Sequence, residues 1–396
     1  MVDLSRFKIF AVIGAGTMGR EIAQVALMSN LFNKVILHDI DNNALSDAKN
    51  YITNGLKKIE SKGKLGQNLT TDSLLENLVI TKDLITAVKN TDFIVEAIPE
   101  VMELKQELFK HLGESSPEHT VLATNTSTMS ITKIAEGSNK PEKVFGMHFF
   151  TPVPLLRLIE VIKGEKTSQE TFDLGVLIGK NLPALKGKRY IAQIEKESPG
   201  FIVNRLTIST SPFFSWILDM ATDKGIPYEK IDNDFITPPD LGPLAKWDYF
   251  GIDIAIDVLN YFAETVSPEF APGKTLTNLL KEGNLGRKTG KGIYEWIEGK
   301  PKIKYYEKAG LFNLEQFYAI QLNEGCRLLE EGIVKSYKII DDTMLAGMDM
   351  PGPFRAGKNN YEKWSLILED IVKMTGITYY KPCDMMKSGE FLKFKK

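Results

Sequence analysis

Short apolar runs alternate with amphipathic segments along the first half of the chain. The runs have the length and composition of buried strands, and they lie at 8–13, 34–39, 91–98 and 120–125. The segments between them carry apolar residues at helical spacing, most clearly at 20–30, 42–66 and 100–109. Strands that alternate with helices are typical of a parallel sheet covered on both faces. The pattern therefore predicts an α/β fold for this part of the chain.

The pattern changes near residue 185, where sheet-type runs become scarce and long amphipathic helices follow. A weak repeat lies in this part. The segments KIDNDF and DLGPL, at 230–235 and 240–244, recur about 110 residues later as IIDDTM and MPGPF, at 339–344 and 350–354. Two copies with so long a period favour a duplicated helical domain over a solenoid, whose repeats are roughly 20–50 residues long.

Three domains follow from these patterns, with Pro199 and Gly200 marking the first boundary. We expect an α/β domain over 1–196, a first helical domain over 197–300 and a second, degenerate helical copy over 301–396. The loop 284–296 superficially resembles a triphosphate-binding loop, but its glycine spacing is wrong. We expect it to close the first helical copy instead.

A glycine motif, GAGTMG at 14–19, directly follows the first strand and opens the first helix. Gly14 permits the tight turn, Gly16 lets the backbone approach a pyrophosphate, and Gly19 permits close helix–strand packing. The helix N-terminus offers N–H groups and the positive end of the helix dipole to phosphates. A merely structural glycine turn is the alternative, but strand, helix, second strand and following acid are all in register for a dinucleotide.

The acid in this register is Asp39, which lies twenty residues after Gly19 and can accept hydrogen bonds from ribose hydroxyls. The residues after it, IDNN, contain no Arg or Lys. A 2′-phosphate would meet negative charge there, so the sequence favours NAD over NADP.

His148 and Glu160 form the second candidate site. Two further strands are predicted at 144–149 and 158–162, and prolines punctuate the link between them. Glu160 lies within an apolar run, where an ionised carboxylate needs a partner. Among the four histidines, only His148 is placed so that a turn brings it beside Glu160. A His oriented by a carboxylate is suited to general base catalysis, although such a pair can also be inert in a core.

Polar residues also follow the predicted strand ends, where parallel sheets bind ligands. Glu100 and Ser127 are the two candidates. Ser127 can alternatively be a helix N-cap, because STMSITKIA at 127–135 looks helical. The lysines near the end of the 42–66 helix can meet a phosphorylated ligand, but a solvated helix end is the favoured interpretation.

Composition adds mainly exclusions. The 396 residues are 43% hydrophobic and 25% charged with a net charge of −2, which argues against nucleic acid as a partner. No apolar run reaches the ~18 residues of a membrane span, and no signal peptide is expected before the first strand. Cys326 and Cys383 are far apart in sequence, so we expect no disulfide framework, no metal site and a cytoplasmic location.

Six motifs together resemble the L-3-hydroxyacyl-CoA dehydrogenase family: GAGTMG at 14–19, VEAIPE at 95–100, NTS at 125–127, HFFTPVPLLRLIEVI at 148–162, SPGFIVNRL at 198–206 and LGRKTGKGIYEW at 285–296. The resemblance implies a Rossmann-type NAD-binding domain followed by all-α C-terminal domains. Residues 310–396 look like the extra C-terminal copy of larger family members.

The resemblance also implies roles for individual residues. His148 matches the catalytic base and Glu160 its orienting carboxylate, while Ser127 and Asn204 match polar groups around the substrate's 3-oxygen. Thr151, a candidate substrate contact, stands where the family usually has Asn, which shortens its reach. The positions expected on the cofactor are Gly14, Gly16, Thr17, Met18, Gly19, Asp39, Glu100, Lys105 and Asn125.

The reaction implied is the reversible NAD-dependent oxidation of a short-chain L-3-hydroxyacyl-CoA, with the acyl-CoA in a cleft between the two halves of the chain. A free hydroxy-acid or sugar-acid dehydrogenase and a non-catalytic NAD-binding scaffold remain as alternatives. Short family members dimerise through their single helical domain. We therefore expect a monomer whose second copy takes the partner's place, rather than a homodimer.

Overall fold

A computed structural model of the protein describes residues 4–235, 241–303 and 307–395. The chain divides into two compact units. The first comprises Met1–Phe201 with Asp342–Pro351, and the second comprises Ile202–Asp341 with Gly352–Lys396. No helix among the described residues is long and apolar enough to cross a membrane.

The first unit is built on one eight-stranded sheet in the order β3-β2-β1-β4-β5-β6-β7-β8. Its strands are β1 (Ile9–Ile13), β2 (Lys34–His38), β3 (Leu78–Thr81), β4 (Phe93–Glu96), β5 (Val121–Thr124), β6 (Val144–Phe149), β7 (Leu158–Ile162) and β8 (Tyr190–Ile194). All neighbouring strands pair in parallel except β6 and β7, which are antiparallel. The strand order reverses between β1 and β4, and this is the point at which parallel sheets bind ligands.

Helices connect these strands: α1 (Thr17–Ser29), α2 (Asn42–Glu60), α3 (Thr71–Leu75), α4 (Leu84–Val88), α5 (Met102–Ser115), α6 (Ile131–Glu136) and α7 (Gln169–Asn181). The inward side of α2 shows why they form, since its buried residues are Leu45, Ala48, Ile52, Leu56 and Ile59, at helical spacing. The predicted α/β fold of Rossmann type is confirmed.

Helix α2 ends at Glu60, so the prediction of a helix to residue 66 was wrong. Gly63 adopts a φ of +62°, and the N–H of Lys64 reaches back to the carbonyl of Ile59 at 3.1 Å. A glycine in this conformation closes the end of a helix. Helix α6 also begins later than expected. Its N-cap is Ser130, which accepts from the N–H of Lys133, so the alternative of Ser127 as the N-cap was wrong.

Beyond Phe201 the described chain is helical apart from a short hairpin of β9 (Trp296–Ile297) and β10 (Lys300–Pro301). The helices are α8 (Val203–Ile208), α9 (Ser211–Lys224), α10 (Tyr228–Phe235), α11 (Pro243–Phe250), α12 (Ile252–Thr265), α13 (Lys274–Lys281), α14 (Leu314–Glu330), α15 (Tyr337–Met348), α16 (Pro353–Gly357), α17 (Tyr361–Thr375) and α18 (Asp384–Ser388). The predicted helical C-terminal region is confirmed.

Each helical copy contains an equivalent hydrogen bond from a backbone N–H to an aspartate, which the sequence repeat alone does not reveal. In the first copy the carboxylate of Asp232 accepts from the N–H of Leu244 at 2.9 Å. In the second, Asp341 accepts from the N–H of Phe354 at 3.0 Å. In each copy a glycine packs directly against the aspartate, and both aspartates lie at matching positions of the repeat. Asp240, the first residue of the DLGPL segment, lies outside the described residues.

The loop 284–296 closes the first copy around a buried carboxylate. Asp248 accepts from the N–H groups of Ile293 and Tyr294, both at 2.8 Å, and from the indole of Trp296 at 2.9 Å. Burial raises the pKa of Asp248, and these donors oppose the shift. The N–H groups of Ile293 and Tyr294 therefore bind a side chain of the protein itself, as expected for a structural loop.

The three-domain division stays a prediction, since both helical copies contribute to one compact unit and residues 342–351 to the other. The two cysteines, distant in sequence, are brought together in the second copy as free thiols. Burial raises the pKa of the Cys326 thiol well above its usual range, so this thiol stays protonated at neutral pH.

Candidate active site

Strand pairing brings His148 and Glu160 together. The antiparallel register of β6 and β7 places the two residues directly opposite each other. Nδ1 of His148 lies 2.7 Å from Oε2 of Glu160, and the two side chains are 7% and 0% exposed. The buried carboxylate of Glu160 is thus paired with His148, and it fixes the orientation of the imidazole ring.

Aromatic rings surround the imidazole. Phe150 and Phe201 lie with their ring centroids 4.4 Å and 5.7 Å from that of His148. Apolar surroundings strengthen the electrostatic interaction between the imidazole and the carboxylate because they lower the local dielectric constant. The arrangement is that of a histidine held in one orientation and able to gain and lose a proton.

A buried lysine lies at the carboxyl ends of β4 and β5. Nζ of Lys105 lies 2.6 Å from Oε1 of Glu96 and 3.1 Å from Oε2 of Glu100. Burial opposes the charge of Lys105, but Glu96 and Glu100 raise the pKa of this lysine above its usual value. It therefore carries a fixed positive charge at this edge of the sheet.

Glu100 in turn holds the loop of Ser127. It accepts from the hydroxyl of Thr126 at 2.5 Å and from the N–H of Ser127 at 2.8 Å. Burial would raise the pKa of Glu100, but Lys105 and these donors lower it below the usual value, so the carboxylate stays ionised. The structure thus joins three of the predicted site residues: Glu100, Lys105 and Ser127.

Asn125 lies beside the strand of the histidine. Its Oδ1 accepts from the N–H of Phe149 at 2.9 Å, one residue after His148. The side chain was predicted to line the cofactor site, and its amide oxygen is used to hold the end of β6. Asn204 lies in the second unit, half-buried on α8.

The glycine loop has the shape that a dinucleotide needs. A Cβ on Gly14, whose φ is +106°, would lie 2.4 Å from the carbonyl oxygen of Ala97. A Cβ on Gly19 would lie 1.8 Å from the carbonyl oxygen of Gly14. In contrast, a Cβ on Gly16 would meet nothing within 4 Å. The open space over Gly16 at the start of α1, where Thr17 is also exposed, fits a pyrophosphate on the helix N-terminus.

Asp39 lies beside this loop. Its Oδ2 accepts from the N–H of Ala15 in the glycine loop at 2.7 Å, and its Oδ1 accepts from the N–H of Asp41 at 2.9 Å. A carboxylate has roughly four acceptor positions, so ribose hydroxyls can still bind. The residue also holds the loop in place.

Two residues near the site were missed from the sequence. Glu21 on α1 is 4% exposed and accepts from the hydroxyl of Thr151 at 3.1 Å. Arg189, 9% exposed, donates to backbone carbonyls of the segment that follows Thr151. A charged residue beside Ile22, on the inward side of α1, was the available signal for Glu21. No local signal marked Arg189.

Comparison with known proteins agrees with this geometry. The model of the 3-hydroxyacyl-CoA dehydrogenase NAD-binding domain matches residues 9–186, and that of the family's C-terminal domain matches residues 200–296. The mitochondrial hydroxyacyl-coenzyme A dehydrogenase of Rattus norvegicus is 35% identical over 73% of this chain and 91% of its own length. The 3-hydroxybutyryl-CoA dehydrogenase of Clostridioides difficile is 34% identical over 72% of this chain and 98% of its own.

A solved structure extends the likeness through the second helical copy. The 3-hydroxybutyryl-CoA dehydrogenase of Escherichia coli K12 superimposes with a TM-score of 0.81 and 25% identity, covering 98% of each chain. The predicted family, the NAD cofactor and the oxidoreductase class are confirmed. The chain belongs to the 3-hydroxyacyl-CoA dehydrogenase family.

Proposed function

We propose that the protein catalyses the reversible oxidation of short-chain L-3-hydroxyacyl-CoA to 3-oxoacyl-CoA with His148 as the general base. The observation that carries this proposal is the 2.7 Å contact between His148 and Glu160 across paired strands. Because Nδ1 faces the carboxylate, Nε2 is the nitrogen that exchanges a proton with the substrate. Glu160 holds the ring and stabilises the imidazolium that forms.

Oxidation breaks two bonds at the substrate's C3 carbinol. NAD held at the glycine loop would supply the hydride acceptor for the C3–H bond. The proton of the 3-hydroxyl passes to Nε2 of His148 as the carbon–oxygen double bond forms. In the reverse direction the imidazolium returns the proton to the ketone oxygen, so Glu160 stabilises the charged ring in both directions.

Ser127 and Asn204 are proposed to steady the 3-oxygen as charge develops on it. The support for Ser127 is that Glu100 accepts from its N–H and from the neighbouring Thr126 hydroxyl, which fixes the loop that carries the Ser127 hydroxyl. That hydroxyl lies 3.4 Å from the same carboxylate, and a donor held in place stabilises a developing charge better than a mobile one. Such donors contribute up to ~3 kcal/mol each. For Asn204 the support is its match to the family motif. Thr151 remains a proposed substrate contact, because its hydroxyl donates to Glu21 and its oxygen can still accept a hydrogen bond.

Cofactor binding is assigned to the glycine loop and its neighbours. Gly14, Gly16, Thr17, Met18 and Gly19 would surround the pyrophosphate, and Asp39 the adenosine ribose. We place Glu100, Lys105 and Asn125 on the nicotinamide side, at the carboxyl ends of β4 and β5. The ion pair between Lys105 and Glu100 fixes these two side chains before any ligand binds, and the N–H of Phe149 fixes the amide oxygen of Asn125.

Substrate choice rests on the relatives, two of which are named as 3-hydroxybutyryl-CoA dehydrogenases. The deciding experiment compares NAD reduction with 3-hydroxybutyryl-CoA, with longer 3-hydroxyacyl-CoA esters and with free 3-hydroxybutyrate. We expect the four-carbon ester to have the highest kcat/KM. A higher value for the free acid would reverse the assignment, and NAD binding without turnover of any ester would favour a scaffold.

Replacement of the base tests the mechanism. We expect His148→Ala and Glu160→Ala each to lower kcat by at least ~100-fold with little change in NAD affinity, as loss of general base catalysis does. His119→Ala is a matched control, because His119 also pairs with a carboxylate, that of Asp92 at 2.8 Å, but is 62% exposed. Near-normal turnover in either site variant, measured by NADH absorbance, would disprove the role.

We also propose a monomer in which the second copy replaces a partner subunit. In support, a buried network joins the copies: Arg205 of the first pairs with Glu324 and, at 2.9 Å, with Glu331 of the second. Glu324 also accepts from Tyr379 at 2.7 Å and from Arg327 at 3.1 Å. The second copy thus covers the surface of the first copy around Arg205 within one chain. A relative with a single helical copy would cover such a surface with a partner subunit.

A further inference from the structure

The segment that joins β6 to β7, residues 150–157, contains no helix or strand, yet it connects the strands of His148 and Glu160. Both backbone groups of Val153 within it are held by buried charged side chains. Its N–H donates to Oε2 of Glu21 at 2.6 Å, and its carbonyl accepts from Nη2 of Arg189 at 2.9 Å. The segment is therefore fixed from two sides at its centre.

Glu21 receives donors from two elements. Oε1 accepts from the hydroxyl of Tyr51 on α2 at 2.9 Å, and Oε2 accepts from Thr151 at 3.1 Å as well as from Val153. Burial, and then the bond to Glu21, raise the pKa of Tyr51 to about 12, so the phenol remains a donor at neutral pH. The guanidinium of Arg20 lies 4.2 Å above the ring of Tyr51. Three donors thus hold the carboxylate in one position.

Arg189 is the counterpart on the other side of the segment. The nitrogens of its guanidinium donate to four backbone carbonyls over distances of 2.5–3.3 Å: those of Val153, Leu156, Leu182 and Pro183. Burial lowers the pKa of Arg189 to about 10, which still leaves it charged at neutral pH. It directly precedes β8, which pairs with the strand of Glu160.

Helix α1 therefore has two tasks. Its first turn follows Gly16 and faces the proposed phosphate site, and Glu21, one turn later, holds the segment that orients the catalytic strands. We propose that Glu21 is a positioning residue for the His148–Glu160 pair, linking the cofactor-binding helix to the base through Thr151 and Val153. The inference rests on the proposed function. It also gives Thr151 a task at the position where the family usually has Asn.

The test compares Glu21→Gln and Thr151→Val with a control that has the same chemistry elsewhere. Glu60 provides this control. Its carboxylate accepts from the hydroxyl of Thr71 at 2.5 Å and from the N–H of Thr71 at 3.2 Å, so Glu60→Gln removes a similarly bonded carboxylate. We expect Glu21→Gln to lower kcat for 3-hydroxybutyryl-CoA roughly 10-fold with less than about a 2-fold change in KM for NAD, because small misplacements of a catalytic group cost rate rather than binding. Glu60→Gln should leave both constants unchanged.

A second readout separates positioning from general weakening. Loosening the His148–Glu160 contact removes support for the imidazolium, so the rise of kcat with pH should move to lower pH in Glu21→Gln. Hydrogen exchange of peptides covering 150–157 should accelerate in Glu21→Gln and Thr151→Val but not in Glu60→Gln. Wild-type kcat, an unmoved pH profile and unchanged exchange in the Glu21 variant would overturn the inference.

Different results would disprove the catalytic role of His148 and the positioning role of Glu21. If the wild-type enzyme turns over the ester and His148→Ala does not, while Glu21→Gln behaves as the wild type in all three readouts, only the positioning role is wrong. If His148→Ala retains activity, the proposed base is wrong. In that case the exchange measurement still decides whether Glu21 holds the segment.

Discussion

Gly16 and Gly19 show how one residue type meets opposite surroundings three positions apart. Gly16 has the φ of an ordinary residue, −63°, and open space where a Cβ would lie. At Gly19 a Cβ would overlap the backbone of Gly14 and approach Cγ1 of Val12 at 3.3 Å. The first glycine therefore leaves room for a ligand, and the second for the protein itself.

Alanine at these positions should separate binding from folding. We expect Gly16→Ala to change the free energy of unfolding by less than about 1 kcal/mol while weakening NAD binding at least roughly 10-fold, since the methyl group enters the phosphate site. Gly19→Ala should destabilise the fold by more than about 3 kcal/mol, because backbone cannot yield as a side chain does. Urea denaturation and NAD titration measure the two effects. Equal destabilisation by both substitutions would contradict this reading of the loop.

Helices of the two copies are joined through a buried carboxylate whose charge depends on its partners. Burial alone would raise the pKa of Glu324, but Arg205, Arg327 and the hydroxyl of Tyr379 together lower it below its ordinary value of 4.5. A carboxylate of this kind stabilises the fold at pH values above its unfolded pKa. The contribution is lost as the pH falls through the lower pKa of the folded state.

Removal of this charge should be costly at neutral pH and progressively less so in acid. We expect Glu324→Gln to reduce the free energy of unfolding by about 3 kcal/mol near pH 7, because two arginines are left without their buried partner. The difference from the wild type should stay constant down to about pH 4.5 and shrink below it. Denaturant titrations over this pH range give the measurement.

Glu331→Gln is the control for that substitution. Glu331 contacts the same guanidinium of Arg205, but its side chain is 40% exposed, whereas that of Glu324 is 1% exposed. Solvent screens such a pair, so we expect a loss below about 1 kcal/mol. Equal losses in the two variants would show that burial of Glu324 is not what gives the network its strength.

At the scale of the whole molecule, duplication of the helical part accounts for the length of the chain. The aspartate–glycine pairs Asp232 with Gly242 and Asp341 with Gly352 are built alike, and each aspartate caps the helix that follows. Tyr380 of the second copy donates to the carbonyl of Ser209 in the first at 3.0 Å. The copies have thus kept their local architecture while forming one packed unit.

The expected assembly follows from this packing. Light scattering coupled to size exclusion should give a mass near 44.4 kDa for the holoenzyme across the micromolar range, because the helical surface of the first copy is already covered within the chain. Glu324→Gln should leave the mass unchanged if the second copy stays docked. A wild-type mass near twice this value would contradict the proposal of an internal pseudo-dimer.

Local pattern was sufficient for six of the eight strands of the sheet and for the glycine motif and the His148–Glu160 pair, whereas β3 and β8 were not predicted. Strands β6 and β7 were predicted with the bounds that the structure has, since both are apolar runs delimited by turns. His148 and Glu160 were paired because a buried carboxylate requires a partner and only one histidine was near in sequence. The glycine motif was interpretable because each glycine answers a backbone constraint, and such constraints act over a few residues.

The sequence by itself determined the family, the cofactor, and the residues whose partners lie close along the chain or follow from strand register. Only the tertiary structure decided that Glu21 reaches Thr151 across 130 positions, that Arg189 holds four carbonyls, and that the two cysteines are neighbours. The reason is physical. Local propensities depend on the nearest residues, whereas a buried polar or charged group bonds any suitable partner that packing brings within about 3 Å, and packing is a property of the whole fold.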